Sequence, residues 1–204
     1  MNPKLYSLQI TFALTAFCAL GQSTFVYDQQ SVPSDSTYIE GGVANILDVS
    51  VGQSFTPSLS TVGFIRLIVE GGGPPPGGSS AMFYVNLMSD DITGPILAST
   101  DPVTIQPRLG TPSTFFFSTP VTVTPGDTYY FQVVEENGND SWGIIYDSDW
   151  YRYPYPAGNA YFNGVVAPYW DLWFREGIVV PEPSSALLLL AGVGALAVFR
   201  RVKT

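Results

Sequence analysis

Two stretches of the chain alternate apolar and polar residues with a period of two, which is the pattern of a β-strand that buries one face. The apolar positions are Ile65, Leu67 and Val69 in the first stretch and Phe83, Val85 and Leu87 in the second. Between them lies a Gly- and Pro-rich segment, Gly71 to Ser80, which cannot form a strand ladder. The pattern therefore predicts two strands joined by a surface connector.

Shorter apolar runs separated by turn residues fill the rest of the chain between Gln22 and Val180, and almost no stretch has helical periodicity. Turns are predicted at Thr124–Asp127 and Asn137–Asp140. Further strands are predicted at Gln53–Thr56, Ile96–Thr104, Thr114–Val123, Thr128–Val134, Trp142–Tyr146, Ala160–Phe162 and Leu172–Val179. This spacing predicts an all-β fold, a two-sheet antiparallel sandwich of the jelly-roll kind, with a closed barrel as the alternative.

The first 21 residues have the pattern of a secretory signal peptide. A positive charge at Lys4 precedes an apolar run from Leu8 to Leu20, and small residues follow at Ala19 and Gly21. Cleavage is expected after Gly21, which leaves residues 22–180 as the predicted sandwich domain. The alternative is an N-terminal helix of a cytosolic protein.

The last 24 residues, 181–204, form a second distinctive segment. Pro181, Glu182 and Pro183 precede an apolar stretch at 186–199, and Arg200, Arg201 and Lys203 close the chain. Fourteen helical residues span roughly 21 Å, which is short for a hydrocarbon core of ~30 Å, so a short transmembrane helix is predicted whose arginines reach the headgroups. The basic end should stay cytoplasmic and form an anchor there, with the body outside.

Charge and residue usage restrict the chemistry of the predicted domain. Residues 22–180 contain sixteen acidic and four basic residues, a net charge of −12, which argues against nucleic-acid partners. The chain has no histidine, and its single cysteine, Cys18, lies in the predicted leader. The mature domain therefore has no residues for Ser-His-Asp or Cys-His catalysis, thiolate or imidazole zinc sites, or disulfides. We expect it not to be an enzyme.

All four tryptophans lie between Trp142 and Trp173, together with a tyrosine and proline run. Exposed aromatic faces stack on sugar rings, and prolines hold such rings with little loss of entropy. The candidate glycan-stacking residues are Trp150, Tyr151, Tyr153 and Tyr155. In the alternative interpretation, Trp142 and either Trp170 or Trp173 pack in the core, and the tyrosines only cover one end of the sandwich.

Acidic residues offer two further hypotheses. Asp147 to Asp149 and Asn137 to Asp140 place oxygen ligands on loops, as a structural Ca²⁺ requires, but a solvated acidic loop is the preferred interpretation and no other cofactor is expected. Glycoside hydrolysis needs two carboxyl groups beside a cleft. The candidates by residue type are Glu135, Glu136, Asp147, Asp149 and Glu176. A carboxylate-dependent polysaccharide hydrolase or lyase is therefore the alternative function.

The arrangement of Pro181-Glu182-Pro183, a short apolar stretch and a basic end resembles the PEP-CTERM sorting signal. In that family an integral-membrane transpeptidase, exosortase, recognises the motif and removes the tail. The resemblance implies a protein that is held briefly in the inner membrane and then delivered to the cell envelope or beyond, in a bacterium that makes extracellular polysaccharide and biofilm matrix. A plain single-pass tail anchor is the alternative.

Three stretches of the body resemble a β-sandwich module of exported bacterial proteins that is similar in shape to carbohydrate-binding modules. They are Val51–Thr56, Thr124–Tyr129, and Tyr155–Tyr161 with Asp171–Phe174. The resemblance implies the sandwich fold and a non-enzymatic role, either structural or as a weak binder of extracellular polysaccharide.

Overall fold

The computed structural model describes residues 23–31, 41–46, 50–71, 79–107, 111–137, 142–147 and 155–181. Within these ranges the regular structure is entirely β-strand. The chain divides into two compact units, and the unit that carries the fold runs from Phe25 to Val180. The other unit, residues 1–24 with 181–204, is described only at Ser23, Thr24 and Pro181.

Fourteen strands are present in the described residues. In chain order they are β1 (Ser23–Gln30), β2 (Gly41–Asn45), β3 (Val51–Phe55), β4 (Thr61–Gly71), β5 (Ala81–Ser89), β6 (Ile96–Ser99), β7 (Val103–Ile105), β8 (Pro112–Thr122), β9 (Tyr129–Asn137), β10 (Trp142–Asp147), β11 (Ala160–Phe162), β12 (Val165–Ala167), β13 (Asp171–Leu172) and β14 (Phe174–Pro181).

The strands pair into two antiparallel sheets. The first sheet has the order β1-β14-β4-β10-β13, with β8 also paired to β4 and β2 to β10. The second has the order β12-β11-β3-β9-β5-β6, with β7 also paired to β5. The predicted two-sheet antiparallel sandwich is therefore confirmed, and the closed barrel is not what the strands form.

The main core lies between the two sheets. Phe174 of the first sheet packs against Phe131 of the second at a ring-centroid distance of 5.5 Å. Phe83 of the second sheet meets the ring of Trp142 of the first edge-on at 5.3 Å. The predicted apolar faces of β4 and β5 both contribute to this core, as the period-two pattern requires.

A second, smaller apolar cluster consists of Ile68, Ile145 and Trp173. Side chains alternate between the two faces of β4, so Ile68 points away from the face that carries Ile65 and Leu67. This cluster therefore belongs to the opposite face of the first sheet. The first sheet therefore buries apolar side chains on both faces along part of its length.

Several strand boundaries differ from the sequence prediction. The predicted strand Ile96–Thr104 is interrupted, because Thr100 leaves the ladder and bonds Val85 through both its backbone N–H and its Oγ1. β1 and β2 were not predicted, since their polar and glycine residues give no clear alternation, and β12 was not predicted because it has only three residues. The connector at 72–78 and the turn at 138–140 lie outside the described residues.

Candidate functional site

A buried group of polar residues fastens the two sheets together, and we call Gln53, Tyr155 and Asp171 the inter-sheet clasp. Gln53 on β3 donates through Nε2 to Oδ1 of Asp171 at 2.8 Å. Its Oε1 accepts from the N–H of Leu172 at 2.9 Å. Oδ2 of Asp171 accepts from the N–H of Tyr155 at 2.8 Å. Because each of these buried polar atoms has a partner, the clasp crosses the core without an unpaired group.

The segment after Tyr155 extends this attachment to β3. Ser54 and Asn159 exchange hydrogen bonds, with the Ser54 N–H bonding the Asn159 carbonyl and the Asn159 N–H bonding Ser54 Oγ, each at 2.9 Å. Gly158 lies so close that a Cβ there would collide with the Ser54 carbonyl oxygen. Two of the three sequence stretches that resemble a sandwich module are thus bound to each other, which accounts for their residues structurally.

The ring of Tyr155 lies inside the sandwich. It meets Phe174 edge-on at 5.1 Å, and its hydroxyl donates to Gln29 Oε1 at 3.0 Å while accepting from the Thr56 N–H at 3.2 Å. Only 7% of the residue is exposed. Burial, with a smaller effect from the nearby carboxyl groups, raises the pKa of Tyr155 to about 12. The prediction that Tyr155 is an exposed glycan-stacking ring is wrong, because both its ring and its hydroxyl are used in packing.

Tyr146, Phe162 and Trp170 form an aromatic group next to the clasp, and together with the adjacent exposed Tyr169 we call it the Trp170 surface. The rings of Trp170 and Tyr146 stack at 4.8 Å with an interplanar angle of 6°. Phe162 meets Tyr146 edge-on at 5.4 Å and Trp170 at 5.6 Å. Trp170 remains 39% exposed and Tyr169 64% exposed. The group therefore presents aromatic surface to solvent on a packed support.

Backbone hydrogen bonds position Trp170. Its carbonyl accepts from the Ala160 N–H at 2.8 Å, and its N–H donates to the Ala167 carbonyl at 3.2 Å. β11 and β12 are joined by a two-residue turn at Asn163 and Gly164, both with positive φ. The Asn-Gly dipeptide is a strong hairpin signal that sequence reasoning overlooked, and it would have identified the β11–β12 hairpin that precedes Trp170.

The other aromatic predictions have different outcomes. Trp142 and Trp173 are buried, as the core-packing interpretation expects, whereas Trp170 is the one of the three described tryptophans that reaches the surface. Trp150, Tyr151 and Tyr153 lie outside the described residues. The chain enters and leaves their segment at the clasp, because Asp147 pairs with Asp171 across the β10–β13 ladder and Tyr155 bonds the Asp171 carboxyl group.

A second acidic pair, the half-buried Asp28 and the buried Glu176, lies at the β1–β14 pair. Asp28 accepts hydrogen bonds from the Ser58 hydroxyl and from the N–H groups of Ser58 and Leu59. Burial opposes ionisation of Asp28, but these hydrogen bonds outweigh it and lower its pKa. Glu176 lies beside Asp28 and the Gln29 backbone, and its carboxyl oxygens make no hydrogen bond of good geometry within the described structure. Burial, reinforced by the charge of Asp28, raises the pKa of Glu176 to about 9.

The candidate catalytic acids differ in burial and in the strand that carries them. Glu176 is fully buried, so a polysaccharide cannot reach it in this structure. Glu135 and Glu136 lie on β9 of the second sheet, where burial raises the pKa of Glu135. Asp149 and the side chain of Asp147 lie outside the described part of the chain, as do Gly138 to Asp140. In the described residues no cluster of three acidic or other metal-binding side chains is found.

The sorting segment begins on the last strand of the sandwich. Val179, Val180 and Pro181 are the final residues of β14. Glu182, Pro183, Arg200, Arg201 and Lys203 lie outside the described residues, as do the predicted signal peptide and the helix at 186–199. Among the residues that are described, no helix is long and apolar enough to cross a membrane.

Comparison with known proteins identifies the C-terminal segment. No curated protein matches the chain. Residues 179–203 match the family model of the PEP-CTERM protein-sorting motif. The chain therefore carries, from the last residues of β14 onward, the motif of exported proteins that are anchored in the membrane and then recognised by exosortase, a membrane transpeptidase.

Proposed function

We propose that the β-sandwich is a non-enzymatic module that acts in the cell envelope or extracellular matrix and binds polysaccharide weakly through the Trp170 surface. The observation that supports this most directly is the stacked pair of Trp170 and Tyr146 with Trp170 partly exposed. A ring already held against its neighbour loses little conformational freedom when a sugar stacks on it, so more of the stacking energy contributes to affinity.

The size of the surface implies weak binding. One tryptophan and one tyrosine contribute a few kcal/mol, which corresponds to a Kd of about 1 mM for a single site. Neutral glycans are the better ligands, because a domain with a net charge of −12 repels acidic polysaccharides. Many copies on one polymer would raise the overall affinity through multivalency.

The test is a glycan array and affinity electrophoresis on residues 22–180, combined with reducing-sugar assays. Trp170→Ala and Tyr169→Ala should abolish or strongly reduce binding. Phe116→Ala, which removes an exposed aromatic ring of the first sheet, should bind like the wild type. Retained binding in Trp170→Ala with loss in Trp150→Ala or Tyr153→Ala would move the site to the tyrosine run. Release of reducing sugar that is lost on a single Asp or Glu change would favour the hydrolase alternative instead.

A further inference from the structure

A second aromatic group lies on the first sheet, far in sequence from Trp170. Phe25 of β1 meets Phe64 of β4 edge-on at 5.0 Å and stacks near Phe116 of β8 at 6.1 Å, and Tyr27 meets Phe64 at 5.8 Å. We call these four residues the aromatic corner. Phe64 is buried beneath the others, but Phe25 is 38% and Phe116 42% exposed. Two phenylalanine rings are therefore exposed side by side on an acidic domain.

The corner lies near the end of the sheet where both chain termini leave it. β1 runs antiparallel to β14, since Ser31 bonds Phe174 whereas Val26 and Tyr27 lie against Gly177. The beginning of β1 and the end of β14 therefore share one end of the sheet. Val26 and Val180, two further exposed apolar residues, are close to that end.

Chain length then limits the distance between this end and the membrane. The sorting motif implies membrane anchoring before processing, and the apolar stretch of the tail begins at Ala186. Five residues, 181–185, separate it from Val180. Even fully extended they span at most roughly 18 Å, and the headgroup layer itself is about 5–7 Å thick. The end of β14 must remain close to the bilayer surface for as long as the tail is inserted.

We propose that the aromatic corner is a membrane-docking surface, which rests in the headgroup layer while the sorting tail is inserted. Exposed aromatic rings are favoured at this depth because their apolar bodies leave water without entering the hydrocarbon. The next row of the sheet carries Arg66, whose guanidinium donates to the Tyr27 hydroxyl at 2.8 Å and can also meet lipid phosphate. Docking in this orientation holds the sorting segment against the membrane.

Charge sets a limit on the strength of docking. Asp101 lies beside the corner, since its N–H bonds the Phe116 carbonyl at 2.9 Å and its carboxyl group accepts from Ser118 at 2.7 Å. This carboxylate and the acidic body repel anionic lipids, so the rings must provide most of the attraction. The surface is therefore expected to dock only when the tail keeps it near the bilayer, and this docking is independent of glycan binding.

The test uses the full tail-bearing chain reconstituted into vesicles of phosphatidylethanolamine and phosphatidylglycerol. The chain has one cysteine, so Cys18→Ser combined with Phe116→Cys gives a single thiol for an environment-sensitive fluorophore. We expect blue-shifted emission and strong quenching by headgroup-attached quenchers at position 116. Ile96 lies on the second sheet and is 56% exposed, so a matched label at Ile96→Cys serves as the control. Its emission should be that of a fluorophore in water, with several-fold weaker quenching.

A second label at Phe25→Cys guards against a local effect of the first substitution, and near-ultraviolet circular dichroism confirms that each variant is folded. Trp170→Ala should leave the signal at position 116 unchanged, which separates docking from glycan binding. If the labels at positions 116 and 25 both show the emission and quenching of the label at position 96 in the folded, membrane-anchored chain, the docking proposal is overturned.

Discussion

Two buried acidic residues on consecutive strands of the first sheet have opposite surroundings. Asp171 on β13 accepts hydrogen bonds from Gln53 and Tyr155 on both carboxyl oxygens. Glu176 on β14 is equally buried, but its oxygens lack well-formed hydrogen bonds in the described structure and Asp28 lies beside it. The comparison shows that burial alone does not decide whether a carboxyl group stabilises the fold. Its partners do.

The two carboxyl groups also differ in what they contribute to the stability of the fold. The carboxyl group of Asp171 replaces water for two buried donors, Gln53 Nε2 and the Tyr155 N–H, so its removal would leave both unpaired. Because burial and the nearby Asp28 raise the pKa of Glu176 to about 9, Glu176 keeps its proton and avoids the cost of burying a charge. The first group connects elements, whereas the second is tolerated only while it is neutral.

The largest expected effect is that of Asp171→Ala. Loss of two hydrogen bonds to a buried carboxyl group, with the Gln53 and Tyr155 donors left unsatisfied, should lower the free energy of unfolding by about 2–4 kcal/mol. Asp171→Asn should lose less but still destabilise, because its NH₂ group faces one of the two donors. Urea unfolding monitored by tryptophan fluorescence measures both.

The matched control for this prediction is Asp101→Ala. Asp101 is exposed and holds one hydrogen bond from Ser118, so its loss should change the free energy of unfolding by only about 0.5 kcal/mol. Equal destabilisation by the two substitutions would show that the clasp has no special role. Because Trp170 directly precedes Asp171, Asp171→Ala should also weaken glycan binding, whereas Asp101→Ala should not.

The next effect, at Glu176, depends on pH. The pKa of a glutamate is about 4.5 in the unfolded chain, whereas that of Glu176 is about 9 in the fold, so folding binds a proton between these values. The free energy of unfolding should therefore fall as pH rises from about 5 to about 9, by up to about 1.4 kcal/mol per pH unit. Asp28 does not cancel this slope, because its lowered pKa changes stability only in more acidic solution.

Glu176→Gln should remove this slope while keeping the shape of the side chain. We expect the variant to match the wild type near about pH 5 and to exceed it by about 1–3 kcal/mol near about pH 8. Urea unfolding across that pH range is the measurement. Parallel pH profiles for the two proteins would mean that Glu176 is not held neutral by the fold.

Sequence patterns predicted the sandwich because a two-layer fold imposes a period of two on its strands. β4 and β5 show this directly, with Ile65, Leu67, Phe83 and Val85 in the core. The same reasoning failed for Ile68, which is buried on the other face of the first sheet. A single strand does not reveal whether its second face is also covered, because that depends on elements distant in the chain.

The functional segments differ in how far sequence reasoning could identify them. The sorting motif at 179–203 was recognised from its residues, because an enzyme that reads an extended segment needs a linear pattern. The Trp170 surface was not, because tertiary contacts decide which of Trp142, Trp170 and Trp173 is exposed, and a single sequence does not show these contacts. The clasp required the pairing of β3 with residues more than a hundred positions away, which a single sequence does not show.

The smallest expected effect concerns Tyr155, which joins the two acidic regions. Its N–H bonds Asp171, and its hydroxyl lies between Gln29 and Thr56 on the side of Asp28 and Glu176. Tyr155→Phe keeps the ring against Phe174 and removes only the hydroxyl, so it should lower the free energy of unfolding by about 1 kcal/mol.

Double variants test whether the clasp holds this ring in place. If it does, the loss of unfolding free energy caused by Tyr155→Phe should be smaller in an Asp171→Ala background, with a coupling energy of about 0.5–1 kcal/mol. In a Glu176→Gln background at about pH 5 it should be unchanged, because Glu176 is already neutral there. Strict additivity with Asp171→Ala in urea unfolding would show instead that the hydroxyl and the clasp stabilise the sandwich independently.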